Sequence, residues 1–221
     1  MNQRLMRFDV RLPKDEYVGT LWDEEHRNRF LLRPEIEWPL SVDPMVWPSV
    51  FFSKIFRDAT KLPYGNIEVN PATDDGKYWL NLEQMQAYYA AHKRPGSRGV
   101  FIAIHLFSER SLAEDTVPYS LPDGIQAALV LGHANPSECP ANSEIVGYDV
   151  ADASGISGLT NCGYPASEKL HLGRAWASRL NSFGLLKTLE DATEFRKLSD
   201  ARAPEHAPFW VYGISRLSVA Q

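Results

Sequence analysis

The sequence predicts a single α+β domain over residues 1–221, with a mixed, largely antiparallel sheet and about four helices packed on it. Three observations lead to this prediction. The chain has 221 residues, 44% apolar and 23% charged, which is the size and composition of a soluble globular protein with a sizeable core. Segments with an apolar period of two, typical of strands, are interspersed with segments of helical period. The order of these segments lacks the regular βαβ alternation of a parallel sheet.

Several segments have the character of β-strands. MRFDVRL, near the start, alternates apolar and charged residues, which is typical of a half-buried strand. GVFIAIHLF is apolar on both faces, so we expect it in the middle of a covered sheet. Strands that follow one another through short loops are expected to be antiparallel neighbours. The other candidates are residues 78–80, IQAALVLG, EIVGYDVA and FWVYGISRL.

Four helices are predicted from their start and stop signals. Asp43 caps the first, which ends before Pro63, and Asn81 caps the second, which has an apolar stripe. The third spans residues 166–183 and is ended by Gly184. Thr188 opens the fourth, with an acidic residue three positions later.

Charge and cysteine content narrow the class of protein. The net charge of −5 and the pI of about 5.7 argue against binding to a phosphate backbone, so no nucleic acid partner is expected. The first residues lack the apolar region of a secretory signal, and no apolar run approaches the roughly 18 residues of a membrane-spanning helix. Cys139 and Cys162 do not indicate a disulfide framework. We therefore predict a cytoplasmic protein without a membrane partner.

The stretch GYDVADASGISGLTNCGYP, residues 147–165, has the densest set of reactive side chains. Asp149 and Asp152 start on opposite faces of a strand, so they do not form a ready-made carboxylate pair. The glycine spacing matches neither the dinucleotide fingerprint nor the P-loop. The six histidines are scattered, and neither HExxH nor CxxC occurs. We expect a structural turn here, with no metal and no cofactor.

Cys162 is the strongest candidate for chemistry in this stretch. It lies just ahead of a predicted helix N-terminus, where the helix dipole lowers the pKa of a thiol. A cysteine nucleophile also needs an imidazole, for example His206, and an orienting group such as Asp149. The alternative is a small buried side chain without catalytic function.

Two other stretches contain candidate binding residues. In APEHAPFWVYG, Glu205 and His206 either line a site or anchor a loop. Trp38 and Trp47 lie in a proline-punctuated segment, where an exposed aromatic side chain forms a binding hot spot and a buried one packs a loop. His105, inside an apolar strand, is interpreted as a core histidine with a hydrogen-bond partner.

The stretch IVGYDVADASGISGLTNCGY and the C-terminal EHAPFWVYG resemble small bacterial cytosolic proteins that are encoded beside secreted polymorphic or contact-dependent toxins as their immunity proteins. The resemblance covers about the last third of the chain, and it carries over no individual functional residue. It implies a protein that binds a toxin domain and blocks it, without catalysis of its own.

Two hypotheses follow. In the first, a non-catalytic cytosolic protein binds a protein partner, for instance a basic toxin domain, through residues from the set Asp149, Asp152, Glu205, His206, Trp38 and Trp47. In the second, the protein is a cysteine-dependent hydrolase or transferase that uses Cys162, His206 and Asp149. The first hypothesis is preferred because no catalytic signature in the sequence is complete.

Overall fold

The computed structural model describes residues 2–11, 40–42, 82–92, 95–96, 98–108, 142–152, 157–159, 172 and 174–218. Within these residues the strands are β1 (Asn2–Arg11), β2 (Val100–Ser108), β3 (Ser143–Ala151) and β4 (Trp210–Leu217). The α-helices are α1 (Leu82–His92) and α2 (Leu189–Arg202), and a short 3-10 helix spans Ala177–Arg179. This part of the chain therefore has an α+β fold.

The strands form one sheet in the order β1-β2-β4-β3, and each neighbouring pair is antiparallel. The ladder between β3 and β4 runs from the pair Ser143↔Leu217 to the pair Ala151↔Trp210, with a bulge between Ile145 and Gly147. We call the first limit the Ser143 end of the sheet. The second is the Asp152 end, because Asp152 directly follows β3. The two ends lie about 25 Å apart, since a strand rises about 3.3 Å per residue.

Apolar side chains cover both faces of the sheet. On one face, Val150 and Val211 share a buried cluster with Phe195 of α2. On the other face, Ala151 and Trp210 belong to a second buried cluster. Residues adjacent in sequence thus enter opposite clusters, which is the period of two expected for a strand. Both faces of β3 and β4 are consequently held by packing, so the residues at the ends of these strands have fixed positions.

The start of α2 follows from its capping residues. The Thr188 side chain accepts a hydrogen bond from the Asp191 backbone N–H at 3.0 Å, and the Asp191 carboxylate accepts one from the Thr188 hydroxyl at 2.8 Å. Ala192, Phe195 and Ser199 recur at helical spacing and are fully buried. The capped start and this buried stripe orient the helix so that its C-terminus reaches the Asp152 end.

Most sequence predictions that fall on the described residues are confirmed. β1, β2, β3, β4, α1 and α2 all lie where the patterns place them. β2 has a strand on each side, as its two apolar faces indicate. His105 is a core histidine that is 1% exposed, and its Nε2 lies 2.9 Å from the Ser215 hydroxyl oxygen. The predicted helix at residues 43–62, the strands at 78–80 and IQAALVLG, and most of the helix predicted at 166–183 lie outside the described residues.

The expectation that strands joined by short loops are antiparallel neighbours involves IQAALVLG, which lies outside the described residues. Of the described strands, β1 neighbours β2 and β3 neighbours β4, whereas β4 lies between β2 and β3. One prediction on the described residues is wrong. The helix predicted to reach residue 183 ends earlier, because the 3-10 turn Ala177–Arg179 is followed by a bridge between Leu180 and Leu186. Asn181 holds this loop: its Oδ1 accepts the backbone N–H groups of residues 183 and 185. Gly184, with φ of 71°, sits in this loop and does not cap a helix.

None of the helices within the described residues is long and apolar enough to span a membrane.

Candidate functional site

Asp149 is a fully buried carboxyl group that joins three parts of the chain. Its Oδ2 accepts hydrogen bonds from the Ser41 hydroxyl at 2.7 Å and the Val42 N–H at 2.8 Å. Its Oδ1 accepts from the Val150 N–H at 2.7 Å and the Ser157 hydroxyl at 2.6 Å. These bonds tie residues 40–42 and 157–159 to strand β3. We call this set of four bonds the Asp149 latch.

The electrostatics of the Asp149 latch reflect its burial. Burial raises the pKa of Asp149 above its ordinary value of 3.8, and the four hydrogen bonds lower it by a smaller amount. The two backbone N–H groups can only donate, so the arrangement requires an acceptor on each carboxyl oxygen. Asp149 was a candidate both for binding and for orienting a histidine. Its carboxyl group has no exposed surface, and these four hydrogen bonds lie within the fold.

The aspartate that meets a histidine is Asp152. Its Oδ2 lies 3.1 Å from Nδ1 of His206, a residue 54 positions away. The Asp152 side chain is 6% exposed, whereas the His206 side chain is 31% exposed. The carboxylate is therefore nearly buried, and the imidazole reaches the surface.

Local backbone geometry explains how His206 arrives at the Asp152 end. The chain leaves α2 through hydrogen bonds from the Ala203 N–H to the Ser199 carbonyl and from the His206 N–H to the Ala203 carbonyl, at 2.9 and 3.0 Å. Next, the Phe209 N–H donates to the Asp200 carboxylate at 2.8 Å, just before β4 begins. The turn is thus fixed on both sides of His206.

This pair has a definite chemical capability. When a carboxylate accepts a hydrogen bond from Nδ1–H, the neutral imidazole carries its free lone pair on Nε2. Nε2 can then accept a proton from a nucleophile, a substrate or a water molecule. The same pair can also serve as a surface ion pair that recognises a protein partner.

The remaining predicted site residues are distributed as follows. Glu205 is exposed and directly precedes His206, so it lies at the Asp152 end as well. Cys162, Trp38 and Trp47 lie outside the described residues. The structure thus places Asp152 against His206, and Glu205 is the chain neighbour of His206. We call these three residues the Asp152 corner.

A second feature lies at the Ser143 end, and sequence reasoning missed it. A cavity of about 370 Å³ is bounded by the start of β2, the start of β3 and the end of β4, with the lining residues Gly99, Val100, Phe101, Glu144, Arg216, Leu217 and Ser218. One available signal was Arg216, a single charged residue in the otherwise apolar strand FWVYGISRL.

Among the described residues, no group of three or more histidine, cysteine, aspartate or glutamate side chains is arranged to hold a metal ion. Comparison of the chain with protein-family models, with curated proteins and with solved structures finds no match.

Proposed function

We propose that the chain is a non-catalytic binding protein of the bacterial cytoplasm, an immunity protein that binds a cognate toxin domain and blocks it. The observation that supports this best is the Asp152 corner. It contains two acidic residues, Asp152 and Glu205, beside the partly exposed His206. A basic surface on a toxin domain is the complementary partner. The net charge of −5 on the whole chain also favours association with a basic partner.

The expected effect of the Asp152 corner is on association. Charges at the rim of an interface mainly accelerate encounter, and salt weakens their effect. Glu205 is exposed and contributes such a rim charge, whereas Asp152 is nearly buried and positions His206.

The test is coexpression with the toxin domain encoded by the adjacent reading frame, followed by binding kinetics with purified proteins. We expect the wild-type chain to restore growth and Glu205→Lys to slow association about tenfold at low salt. Glu144→Lys is the matched control, because it makes the same charge change on an exposed residue at the Ser143 end. A fully lethal toxin during coexpression, or equal kinetics for the two variants, would contradict the proposal.

A second candidate function is supported by the 3.1 Å contact between Asp152 and His206. In this alternative, His206 takes the proton of the Cys162 thiol, and Asp152 replaces Asp149 as the orienting carboxylate of a hydrolase or transferase. The thiolate would attack an acyl carbon and expel the leaving group, which takes the proton from His206.

Thiol alkylation separates this candidate from the first. In a Cys139→Ala background, the alkylation rate of Cys162 is measured against pH with iodoacetamide. Activation by His206 predicts an apparent thiol pKa clearly below about 8.5 that returns toward this value in His206→Gln. An apparent pKa near 8.5 in both proteins would exclude thiol catalysis of this kind.

A further inference from the structure

The cavity at the Ser143 end lies where the pairing between two neighbouring strands ends. β4 pairs with β2 only as far as Ile102↔Arg216, whereas β2 continues to Val100, where it still pairs with β1. The ladder between β2 and β4 therefore ends two residues before β2 does. Residues 99–101 and 217–218, at the ends of these two strands, line the cavity. Its volume of about 370 Å³ is at the small end of the range for ligand sites.

Two opposite charges line this same space. Glu144 on β3 and Arg216 on β4 are directly opposite each other in the antiparallel register. Both side chains are exposed, and within the described part of the chain they do not form an ion pair with each other. Glu144 and Arg216 thus line the cavity as cross-strand neighbours on one face of the sheet.

This arrangement selects among ligand classes. A simple anion would be attracted by Arg216 and repelled by Glu144, and a simple cation would meet the reverse. A ligand that carries both charges can pair its carboxylate with Arg216, in the two-pronged geometry that arginine favours, and its ammonium group with Glu144. The apolar part of the lining, Val100, Phe101 and Leu217, suits an aliphatic side chain.

We propose that the cavity at the Ser143 end binds a small zwitterion, a free α-amino acid with an apolar side chain. Arg216 binds its carboxylate and Glu144 its ammonium group. This site is independent of the proposed function, because it lies about 25 Å from the Asp152 corner.

The test uses L-leucine as the probe and NMR titration of the backbone amides of the full chain. 4-Methylpentanoate, which is leucine without its ammonium group, and isoamylamine, which is leucine without its carboxylate, are the matched ligand controls. We expect saturable shifts at residues 99–101 and 216–218 with L-leucine, and affinities at least tenfold lower for both controls. Glu144→Gln and Arg216→Gln should each lower the affinity for L-leucine at least tenfold, whereas Glu205→Lys should leave it unchanged.

Three results would overturn the proposal: no saturable shift up to about 10 mM L-leucine, equal affinity for 4-methylpentanoate or isoamylamine, or unchanged affinity in both glutamine variants. Circular dichroism confirms that each variant is folded. If one is not, the three ligands on the wild-type protein still decide the question. Loss of toxin binding in Glu205→Lys with intact L-leucine binding would keep the two proposals separate.

Discussion

The Asp149 latch allows a worked prediction of stability. In Asp149→Asn, one carboxylate oxygen becomes an NH₂ group. In either orientation of the amide, this NH₂ group faces one backbone N–H, that of Val42 or that of Val150, which loses its acceptor. The serine hydroxyl on the same side can rotate and accept instead of donating. The main structural effect of the substitution is therefore one buried N–H group without an acceptor.

The magnitude follows from this geometry. A buried donor left without an acceptor costs about 1–3 kcal/mol, and the remaining bonds weaken because their acceptor is no longer charged. Removal of a buried charge offsets part of this cost, since burial raises the pKa of Asp149 and so disfavours its charged form. We expect a net loss of about 2 kcal/mol in the free energy of unfolding. Ser41→Ala removes one hydroxyl donor only and should cost about 1 kcal/mol.

Urea unfolding at neutral pH measures both values from the midpoint, provided that the slope with denaturant is unchanged. Amide hydrogen exchange adds a local readout, because the Val42 N–H should exchange faster in Asp149→Asn than global destabilisation alone explains. An Asp149→Asn protein as stable as the wild type, or more stable, would refute the reasoning that Asp149 ties residues 40–42 to β3.

Three further predictions concern the core and α2. Burial lowers the pKa of His105 from 6.5 to about 4, so its neutral form is favoured in the fold. The resulting contribution to the free energy of unfolding, about 3 kcal/mol, is fully present above pH 6.5 and is lost as the pH falls toward 4. A His105→Gln protein whose unfolding has the same pH dependence as the wild type would contradict this prediction. The Ser199 hydroxyl is buried and has no hydrogen-bond partner among the described residues, and a Cβ on Gly158 would lie 2.9 Å from it. We expect Gly158→Ala to destabilise by about 1–3 kcal/mol and Ser199→Ala to restore much of this loss; additive effects in the double-mutant cycle would disprove the contact. Thr188→Ala removes the cap of α2 and should cost about 1 kcal/mol in thermal or urea unfolding, and an unchanged stability would show that the cap is dispensable.

The elements could be predicted because their signals are local. Alternation over YDVA places Val150 and Ala151 in opposite buried clusters, and Thr188 with Asp191 sets the start of α2. The bulge between Ile145 and Gly147 breaks the alternation, so Val146 packs with the cluster of Ala151 and not with that of Tyr148. The loop at 180–186 could not be predicted in the same way. Its hydrogen bonds depend on Asn181, whose Nδ2 also donates to the Val146 carbonyl at 2.6 Å, 35 residues away. Helical periodicity in the sequence contains no information about such a distant partner.

The candidate site shows the same division. The sequence identified Asp149, Asp152 and His206 as a chemically rich set, and strand alternation separated the two aspartates. It assigned Asp149 to the histidine, whereas the structure pairs His206 with Asp152. The reason is that Asp149 points into the core, where four donors already occupy its oxygens.

The sequence by itself determined the α+β class, the positions of β1 to β4, α1 and α2, and the core placement of His105, because periodicity and capping act within a few residues. Only the tertiary structure decided the strand order, the partner of each aspartate and the cavity between Glu144 and Arg216. These features depend on contacts between segments that are far apart in the chain. These long-range contacts form where surfaces pack well and where buried polar groups are hydrogen-bonded. A local sequence pattern does not contain this information.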